Sequence, residues 1–333
     1  MKPLDPTPLL EVRGLDVSFR TEYGLRTVVP ELSFSLGAGE RLAIVGESGS
    51  GKSVTGLALL GLLPRANTVL GGQVLFEGRE LLALPEAAMR GVRGRSIGMI
   101  FQEPMSALDP VFTIGDQIAE GVRQHFQIGA KAARERAVEM LDQVGIPLPR
   151  QRVKEYPHQL SGGMRQRAMI AVALACQPKL LIADEPTTAL DVTVQAQILD
   201  LITELSAKNG TAILFISHNL GAVADVCDRM LTMYAGQIVE DASMEDVLTR
   251  PRHPYTSGLL RSLPRFSARK AVLPSIPGRV PQPDEMPGGC RFAPRCAHAQ
   301  AECQRPQALQ AAAHRLAVRC VRHPELQLPG SVH

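Results

Sequence analysis

The sequence has no uninterrupted apolar run long enough to cross a membrane. A spanning helix needs about 18–20 such residues, and polar residues interrupt every run although 45% of the 333 residues are hydrophobic. The start, Met1 to Pro8, lacks the basic end and the apolar stretch of a secretory signal peptide. We therefore expect neither a membrane span nor a secretion signal in this sequence.

An excess of charge of one sign is also missing. Lys and Arg number 36 against 33 Asp and Glu, which gives a formal net charge of +3. Proteins that bind nucleic acid concentrate basic residues on one face, whereas the basic residues here are scattered. The composition therefore predicts no nucleic-acid partner. The length allows one large domain and a small second one.

One Gly-rich segment has the spacing of a phosphate-binding loop. It fits the pattern G-x-x-x-x-G-K-[ST] between the apolar run Arg41 to Val45 and the helix pattern Val54 to Leu63. In this context backbone N–H groups surround phosphates, Lys52 pairs with the phosphate oxygens, and the hydroxyl of Ser53 binds Mg²⁺. An incidental Gly-rich turn is the alternative. The residues predicted to bind nucleotide are Gly46, Glu47, Ser48, Gly49, Ser50, Gly51, Lys52, Ser53 and Val54.

Two later apolar runs end in polar residues. Leu180 to Ala183 has the character of a central strand and leads into Asp184 and Glu185. Because neighbours on a strand point in opposite directions, Asp184 is predicted to bind Mg²⁺ and Glu185 to orient or deprotonate the attacking water. A solvated strand end is the alternative. The next such strand ends at His218, which is predicted to sense the γ-phosphate.

A second Gly-rich element precedes a strong helix pattern. Leu160 to Met164 has the sequence Leu-Ser-Gly-Gly-Met. Ser161, Gly162 and Gly163 are therefore predicted to form a helix N-terminus, which is a second anion site.

Together these motifs resemble the ATP-binding subunits of ABC transporters, over about residues 8–265. The resemblance implies an α/β fold: an ABC-type P-loop ATPase core with an antiparallel β flank and a helical subdomain at about 104–165. It makes Gln102 a catalytic Q-loop residue near Mg²⁺ and makes Pro186 to Asp191 a D-loop. It also places Ser161, Gly162 and Gly163 on the ATP of the other subunit in a head-to-tail dimer.

The residue that stacks on adenine is less well specified. ABC proteins use an aromatic residue upstream of the phosphate loop, and Tyr23 and Phe19 both lie there. The chain has only four Tyr and nine Phe, and we favour Tyr23. In the alternative interpretation, Tyr23 is an exposed loop residue and the base is held by backbone and apolar contacts.

Four of the six cysteines follow a Pro-rich segment that runs from Pro274 to Pro287. In a cytosolic protein, clustered thiols favour a metal over disulfides. The spacings C-x5-C, C-x6-C and C-x16-C lack the paired C-x2-C of zinc ribbons and favour a [4Fe–4S] cluster. Zn²⁺ and unligated thiols are the alternatives. The predicted ligands are Cys290, Cys296, Cys303 and Cys320.

The C-terminal sequence resembles that of one subgroup of these ATP-binding subunits. His253 to Thr256 and Gly289 to Cys296 resemble the Cys-containing C-terminal region, here 266–333, of ATPase subunits of dipeptide and oligopeptide importers. The resemblance implies a peripheral motor on the cytoplasmic face of the inner membrane. Its partners are a second, homologous ATPase subunit, two permeases that dock near Met105 to Val111, and an extracytoplasmic solute-binding protein.

The solute and two other classes of function stay open. The subgroup also includes importers of nickel complexes and glutathione, so the cargo is not fixed. A soluble ABC ATPase acting on nucleic acid or ribosomes is the alternative function, but such proteins usually carry two ATPase domains, and no internal repeat is found here. A protein that binds ATP without turnover is disfavoured because both Glu185 and His218 are present.

Overall fold

Strands and helices alternate along the middle of the chain, as predicted for an α/β protein. The computed structural model describes residues 7–188, 191–263, 275–282, 285–313 and 315–330. Its strands are β1 (Leu10–Thr21), β2 (Gly24–Leu36), β3 (Arg41–Val45), β4 (Thr68–Phe76), β5 (Arg79–Glu80), β6 (Ile97–Ile100), β7 (Leu180–Asp184), β8 (Ala212–Ser217), β9 (Arg229–Tyr234), β10 (Gln237–Ser243), β11 (Gln310–Ala313) and β12 (Leu316–Val318). Its helices are α1 (Lys52–Leu59), α2 (Glu86–Val92), α3 (Pro104–Ala107), α4 (Ile114–His125), α5 (Ala130–Gln143), α6 (Pro149–Arg152), α7 (Gly162–Leu174), α8 (Val192–Asn209), α9 (Leu220–Ala224), α10 (Met244–Thr249) and α11 (Pro254–Arg261).

One of two compact units contains Pro8–Leu36, Arg41–Leu82 and the chain from Ile216 onward. Its first sheet has the strand order β2-β1-β4-β5 and is antiparallel, as the predicted flank requires. In its second sheet the strands lie in the order β11-β12-β10-β9-β3. Strands β3 and β9 are parallel and the other pairs antiparallel. Four consecutive residues of β3 are buried, so the segment that follows at Gly46 starts from a fixed strand end.

The other unit contains Ala83–Phe215 together with Gly37–Glu40. Strands β6 and β7 pair in parallel, and β7 is buried along its whole length, as expected for a central strand. Helices α3 to α7 lie between these two strands in the sequence, and α3 to α6 lie within residues 104–165, the range predicted for the helical subdomain. Helix α4 buries Ile114, Ile118 and Val122 along one face.

Two details refine the sequence predictions. Helix α1 ends at Leu59, earlier than the predicted Leu63, because Gly61 adopts a φ of +58° and Pro64 follows. Cys176 and Cys227 are buried, as expected for small core residues, and burial raises the pKa of both thiols.

Some sequence predictions fall outside the described residues. These are Ala189 and Leu190 of the predicted D-loop, the predicted domain boundary at 265/266, and Pro274 and Pro283. The predicted domain limits stay predictions. No helix in the described part of the chain combines the length and the apolar character that crossing a membrane requires.

Candidate functional site

The predicted phosphate loop lies between β3 and α1 and depends on glycine at two positions. A Cβ at Gly46 would collide with the backbone oxygen of Met233. Gly51, which caps α1, has a φ of +97°, a left-handed conformation that favours glycine. The loop therefore turns sharply and directs the chain into the first turn of α1, whose N–H groups form an anion-binding helix end.

Lys52 is buried within the loop. Its ammonium group donates hydrogen bonds to the carbonyl oxygens of Gly46 at 2.8 Å and Glu47 at 2.9 Å. The loop thus holds a positive charge at its centre, where a phosphate would compensate it. Ser53 and Val54 are half-buried in the first turn of α1, whereas Ser48 and Gly49 are exposed at the tip of the loop.

Residues far along the sequence support the loop from outside. The hydroxyl of Tyr255 accepts a hydrogen bond from the N–H of Glu47 at 2.8 Å. Arg295 forms an ion pair with the Glu47 carboxylate, with Nη1 and Oε2 separated by 2.9 Å. The N–H of Gly236 donates to the carbonyl oxygen of Ser50 at 2.8 Å. Sequence reasoning assigned none of these residues to the loop, although Tyr255 and Arg295 lie in the two C-terminal segments that it singled out for their resemblance to importer subunits.

The structure brings two predicted catalytic residues together, Gln102 after β6 and Glu185 after β7. Gln102 donates a hydrogen bond from Nε2 to Oε2 of Glu185 at 3.1 Å, and the hydroxyl of Thr188 donates to the same oxygen at 2.8 Å. Glu185 has a φ of 45°, a strained conformation for a residue other than glycine. Asp184 precedes it, buried at the end of β7. The strained turn fixes the direction of the Glu185 side chain, and Thr188 is a partner that the sequence reasoning did not identify.

The second Gly-rich element begins α7. Ser161 is the N-cap residue, and its hydroxyl oxygen accepts a hydrogen bond from the N–H of Met164 at 3.3 Å. Ser161 and Gly162 are exposed and Gly163 is half-buried. The N-terminal end of this helix is therefore accessible to a partner molecule.

The remaining predicted nucleotide contacts lie at the surface. His218 is exposed directly after β8. Tyr23 is 83% exposed in the turn between β1 and β2, with the guanidinium of Arg26 located 5.5 Å from its ring centre. Phe19 is half-buried in β1. Tyr23 thus offers more ring surface for stacking than Phe19 does.

The predicted site residues are divided between the two units. The phosphate loop, Tyr23 and His218 belong to one unit, and Gln102, Asp184, Glu185 and the Ser161 element belong to the other.

The four C-terminal cysteines line one small cavity, which we call the thiol pocket. Cys290, Cys296, Cys303 and Cys320 all contribute to it, and its volume is about 10 Å³, enough for one water at most. Burial raises the pKa of the Cys320 thiol to about 11 and raises that of Cys290 and Cys296 as well. All four cysteines that the sequence predicted as metal ligands thus border the same cavity.

The predicted metal at the thiol pocket is not supported by this structure. Within the described ranges, no three His, Cys, Asp or Glu side chains are grouped so that they could hold a metal ion. Neither the [4Fe–4S] cluster nor Zn²⁺ therefore follows from the arrangement of the side chains. The sequence spacing predicted which thiols lie together but not the distances between them.

Two family models match the chain. Residues 29–188 match the ABC transporter model, and residues 239–303 match the model of the oligopeptide/dipeptide transporter C-terminal region. The second match starts inside β10 and ends at Cys303, so it includes Tyr255, Arg295 and three of the clustered cysteines.

Curated relatives match over nearly the whole chain. A protein of Brucella abortus (strain 2308), provisionally named a peptide import ATP-binding protein, is 50% identical over 317 residues, which are 95% of this chain and 96% of the relative. A Sinorhizobium fredii protein, provisionally named a peptide ABC transporter ATP-binding protein, is 54% identical over 299 residues, or 89% of each chain.

Solved structures share the fold of the larger part of the chain. The dimeric ATP-binding cassette MJ0796, bound to ADP and phosphate, aligns with a TM-score of 0.63 at 23% identity and covers 71% of this chain and 98% of its own. The cbiO1 protein of Clostridium perfringens, part of the transporter complex cbiONQ, aligns with a TM-score of 0.61 at 25% identity and covers 72% and 90%. The fold is therefore that of an ABC ATPase.

This chain belongs to the ATP-binding proteins of ABC transporters, in the group that carries the oligopeptide/dipeptide C-terminal region. The family resemblance and the ABC ATPase fold predicted from the motifs are confirmed.

Proposed function

We propose that this chain is the ATP-hydrolysing motor subunit of an ABC importer that takes up dipeptides, oligopeptides or related solutes through partner permeases. The observation that carries the proposal is the 50% identity, over 95% of the chain, with a relative named for peptide import. The C-terminal match to the oligopeptide/dipeptide transporter region supports the same solute class. A binding protein and the permeases, rather than this chain, would select the individual solute.

The ATP site is proposed to combine the residues of both units. Lys52 and the loop N–H groups bind the phosphates. Oxygens of Ser53, Asp184 and Gln102 fit Mg²⁺, because this hard cation prefers hydroxyl, carboxylate and amide oxygens. The ion, when bound, neutralises charge on the phosphates.

The residues that directly follow β7 and β8 are proposed to carry out the hydrolysis of ATP. Glu185 is proposed to accept a proton from the attacking water, with its carboxylate held by Gln102 and Thr188. His218 is proposed to bind the γ-phosphate, and Tyr23 to stack on adenine.

The Ser161 element is proposed to act on ATP held by another subunit. Its support is the exposed N-terminus of α7, which carries the positive end of the helix dipole. We propose a second, homologous ATPase subunit as the partner, so that two ATP molecules lie between two chains.

Membrane association is proposed to be peripheral, on the cytoplasmic face of the inner membrane. Met105 and Val111 bound the segment where permeases were predicted to dock, and Phe112 follows it directly; these residues are 53%, 70% and 52% exposed. Several exposed large apolar residues within one short segment are typical of a segment that binds a protein partner. These residues support docking of the two permeases, which would link the motor to a solute-binding protein outside the cytoplasm.

Assembly with permeases tests the proposed function. We expect the tagged chain, co-expressed with hydrophobic permease subunits of a peptide importer, to co-purify with them and hydrolyse ATP. Val111→Asp should remove this association, since it places a charge in an apolar contact, and Val321→Asp, a change of another exposed valine, should not. Co-purification with ribosomes or RNA in place of permeases would instead favour the soluble ABC ATPase.

We propose a [4Fe–4S] cluster at Cys290, Cys296, Cys303 and Cys320 on one support, the spacing of these cysteines in the sequence. We expect protein purified without oxygen to contain about four irons and four sulfides per chain, and Cys303→Ser to lose them. Cys176→Ser, which changes an isolated buried cysteine, is the matched control and should keep the iron. About one zinc per chain would favour Zn²⁺, and metal-free, folded protein would contradict both.

A further inference from the structure

Two side chains from the C-terminal part of the chain converge on Glu47, a residue of the phosphate loop. The Tyr255 hydroxyl accepts from the Glu47 N–H at 2.8 Å, and the guanidinium of Arg295 donates to the Glu47 carboxylate at 2.9 Å. Both the backbone and the side chain of one loop residue are therefore held by residues more than 200 positions away. All three residues belong to the same compact unit.

Arg295 is held in place for this contact. Its side chain is only 5% exposed, against 28% for Glu47. Its Nε donates to the carbonyl oxygen of Pro277 at 2.7 Å, and the guanidinium carbon lies 5.7 Å from the ring centre of Tyr234. Burial lowers the pKa of Arg295, but the hydrogen bonds to Glu47 and Tyr234 outweigh it and raise the pKa overall. The arginine is thus a fixed cation directed at the loop.

A carboxylate in a phosphate-binding loop requires such a cation. Glu47 lies between Gly46 and Ser48, in a loop that would hold the negatively charged phosphates of ATP. Like charges only a few ångströms apart repel each other, and more strongly where the surroundings are partly shielded from water. The ion pair compensates the negative charge of Glu47 and fixes where that charge lies.

We propose that Arg295 is a positioning residue for nucleotide binding, which acts by neutralising and fixing Glu47. The C-terminal region would then be a working part of the ATP site, in addition to any role of its thiols. This inference rests on the proposed function of residues 46–53 as the ATP-binding loop.

The first test measures ATP affinity and turnover of the assembled complex. Arg295→Ala should raise the Kd and KM for ATP about tenfold, because a charge-assisted hydrogen bond is lost and a carboxylate is left uncompensated. The kcat should change by less than about twofold, since no reacting group is altered. Arg295→Lys should restore part of the affinity. Arg279→Ala, which breaks an exposed ion pair in the same region, should change neither constant.

A double-mutant cycle with Glu47→Gln separates this role from others. In the Glu47→Gln background the repelling charge is gone, so Arg295→Ala should cost little affinity. An equal loss in both backgrounds would mean that Arg295 acts elsewhere. Lower thermal stability with unchanged Kd and KM would make its role purely structural. Either result would overturn the inference.

The cycle remains informative in two unfavourable cases. If Arg295→Ala fails to fold, Arg295→Lys measured with and without Glu47→Gln gives the same comparison.

Lys52→Ala tests the proposed function separately: if it leaves ATP binding intact, the loop is not the ATP site. If Lys52→Ala abolishes ATP binding but Arg295→Ala leaves the ATP affinity unchanged, only the inference about Arg295 is refuted.

Discussion

Glu185→Gln should lower the ATP turnover of the assembled complex by a factor of about 10² or more while ATP binding is retained. Glutamine has nearly the shape of glutamate but carries no charge and is a much weaker base. If Glu185 accepts the proton of the attacking water, the variant binds ATP and stalls before hydrolysis. Turnover under saturating ATP and the Kd for ATP, measured on the same preparation, check this expectation.

The hydrogen bonds around Glu185 allow this substitution to remove the charge with little change of structure. Gln102 and Thr188 both donate to one carboxylate oxygen, and the amide oxygen of glutamine can accept the same two hydrogen bonds. The loss therefore reports on charge and basicity, with little change of structure. Glu103→Gln, which alters an exposed carboxylate beside Gln102, is the matched control and should keep wild-type turnover. Wild-type turnover of Glu185→Gln would remove Glu185 from the proposed role.

The local parts of the site were predictable because neighbouring residues in the sequence determine them. The loop from Gly46 to Ser53 and the end of β7 at Asp184 each follow a buried strand, and an apolar run with a polar or Gly-rich end indicates such a strand. The cap at Ser161 likewise depends only on Met164, three residues later. Each of these features lies within one strand–loop or loop–helix segment.

The support of the loop was not predictable in the same way. The contacts of Glu47 with Tyr255 and Arg295 span 208 and 248 residues. No periodicity in the sequence relates positions so far apart, so only the packing of β9, α11 and the C-terminal turns places these side chains. The sequence singled out the segments of Tyr255 and Arg295 through their resemblance to importer subunits, but it did not indicate that they contact the phosphate loop.

The arrangement of the clustered cysteines was predictable only in part. Their spacing predicted that Cys290, Cys296, Cys303 and Cys320 come together, and all four line the thiol pocket. Metal ligation requires each ligand distance to match its expected value to within about 0.2 Å. The lengths of the loops between the cysteines do not determine distances so closely. Spacing alone therefore could not establish whether these thiols hold a metal.

Ser161→Arg should abolish the ATP-driven closure of the ATPase dimer and leave the ATP affinity of the isolated chain nearly unchanged. Ser161 lies exposed at the N-terminus of α7, where an arginine side chain would block the close approach of a second subunit and its ATP. The chain's own phosphate loop is unaltered in this variant. Size-exclusion chromatography of the two homologous subunits with ATP, after Glu185→Gln has been introduced to prevent hydrolysis, measures the closure.

The loss of the helix cap must be separated from the block of the interface. Replacing an N-cap serine costs about 1 kcal/mol of stability, and Ser161→Arg and Ser161→Ala both remove the hydroxyl oxygen that accepts from Met164. Ser161→Ala adds no bulk, so it should weaken closure much less than Ser161→Arg does. A large loss of ATP affinity in monomeric Ser161→Arg would show that the element binds the chain's own nucleotide. In that case the proposed arrangement, with ATP held between two subunits, would be wrong for this protein.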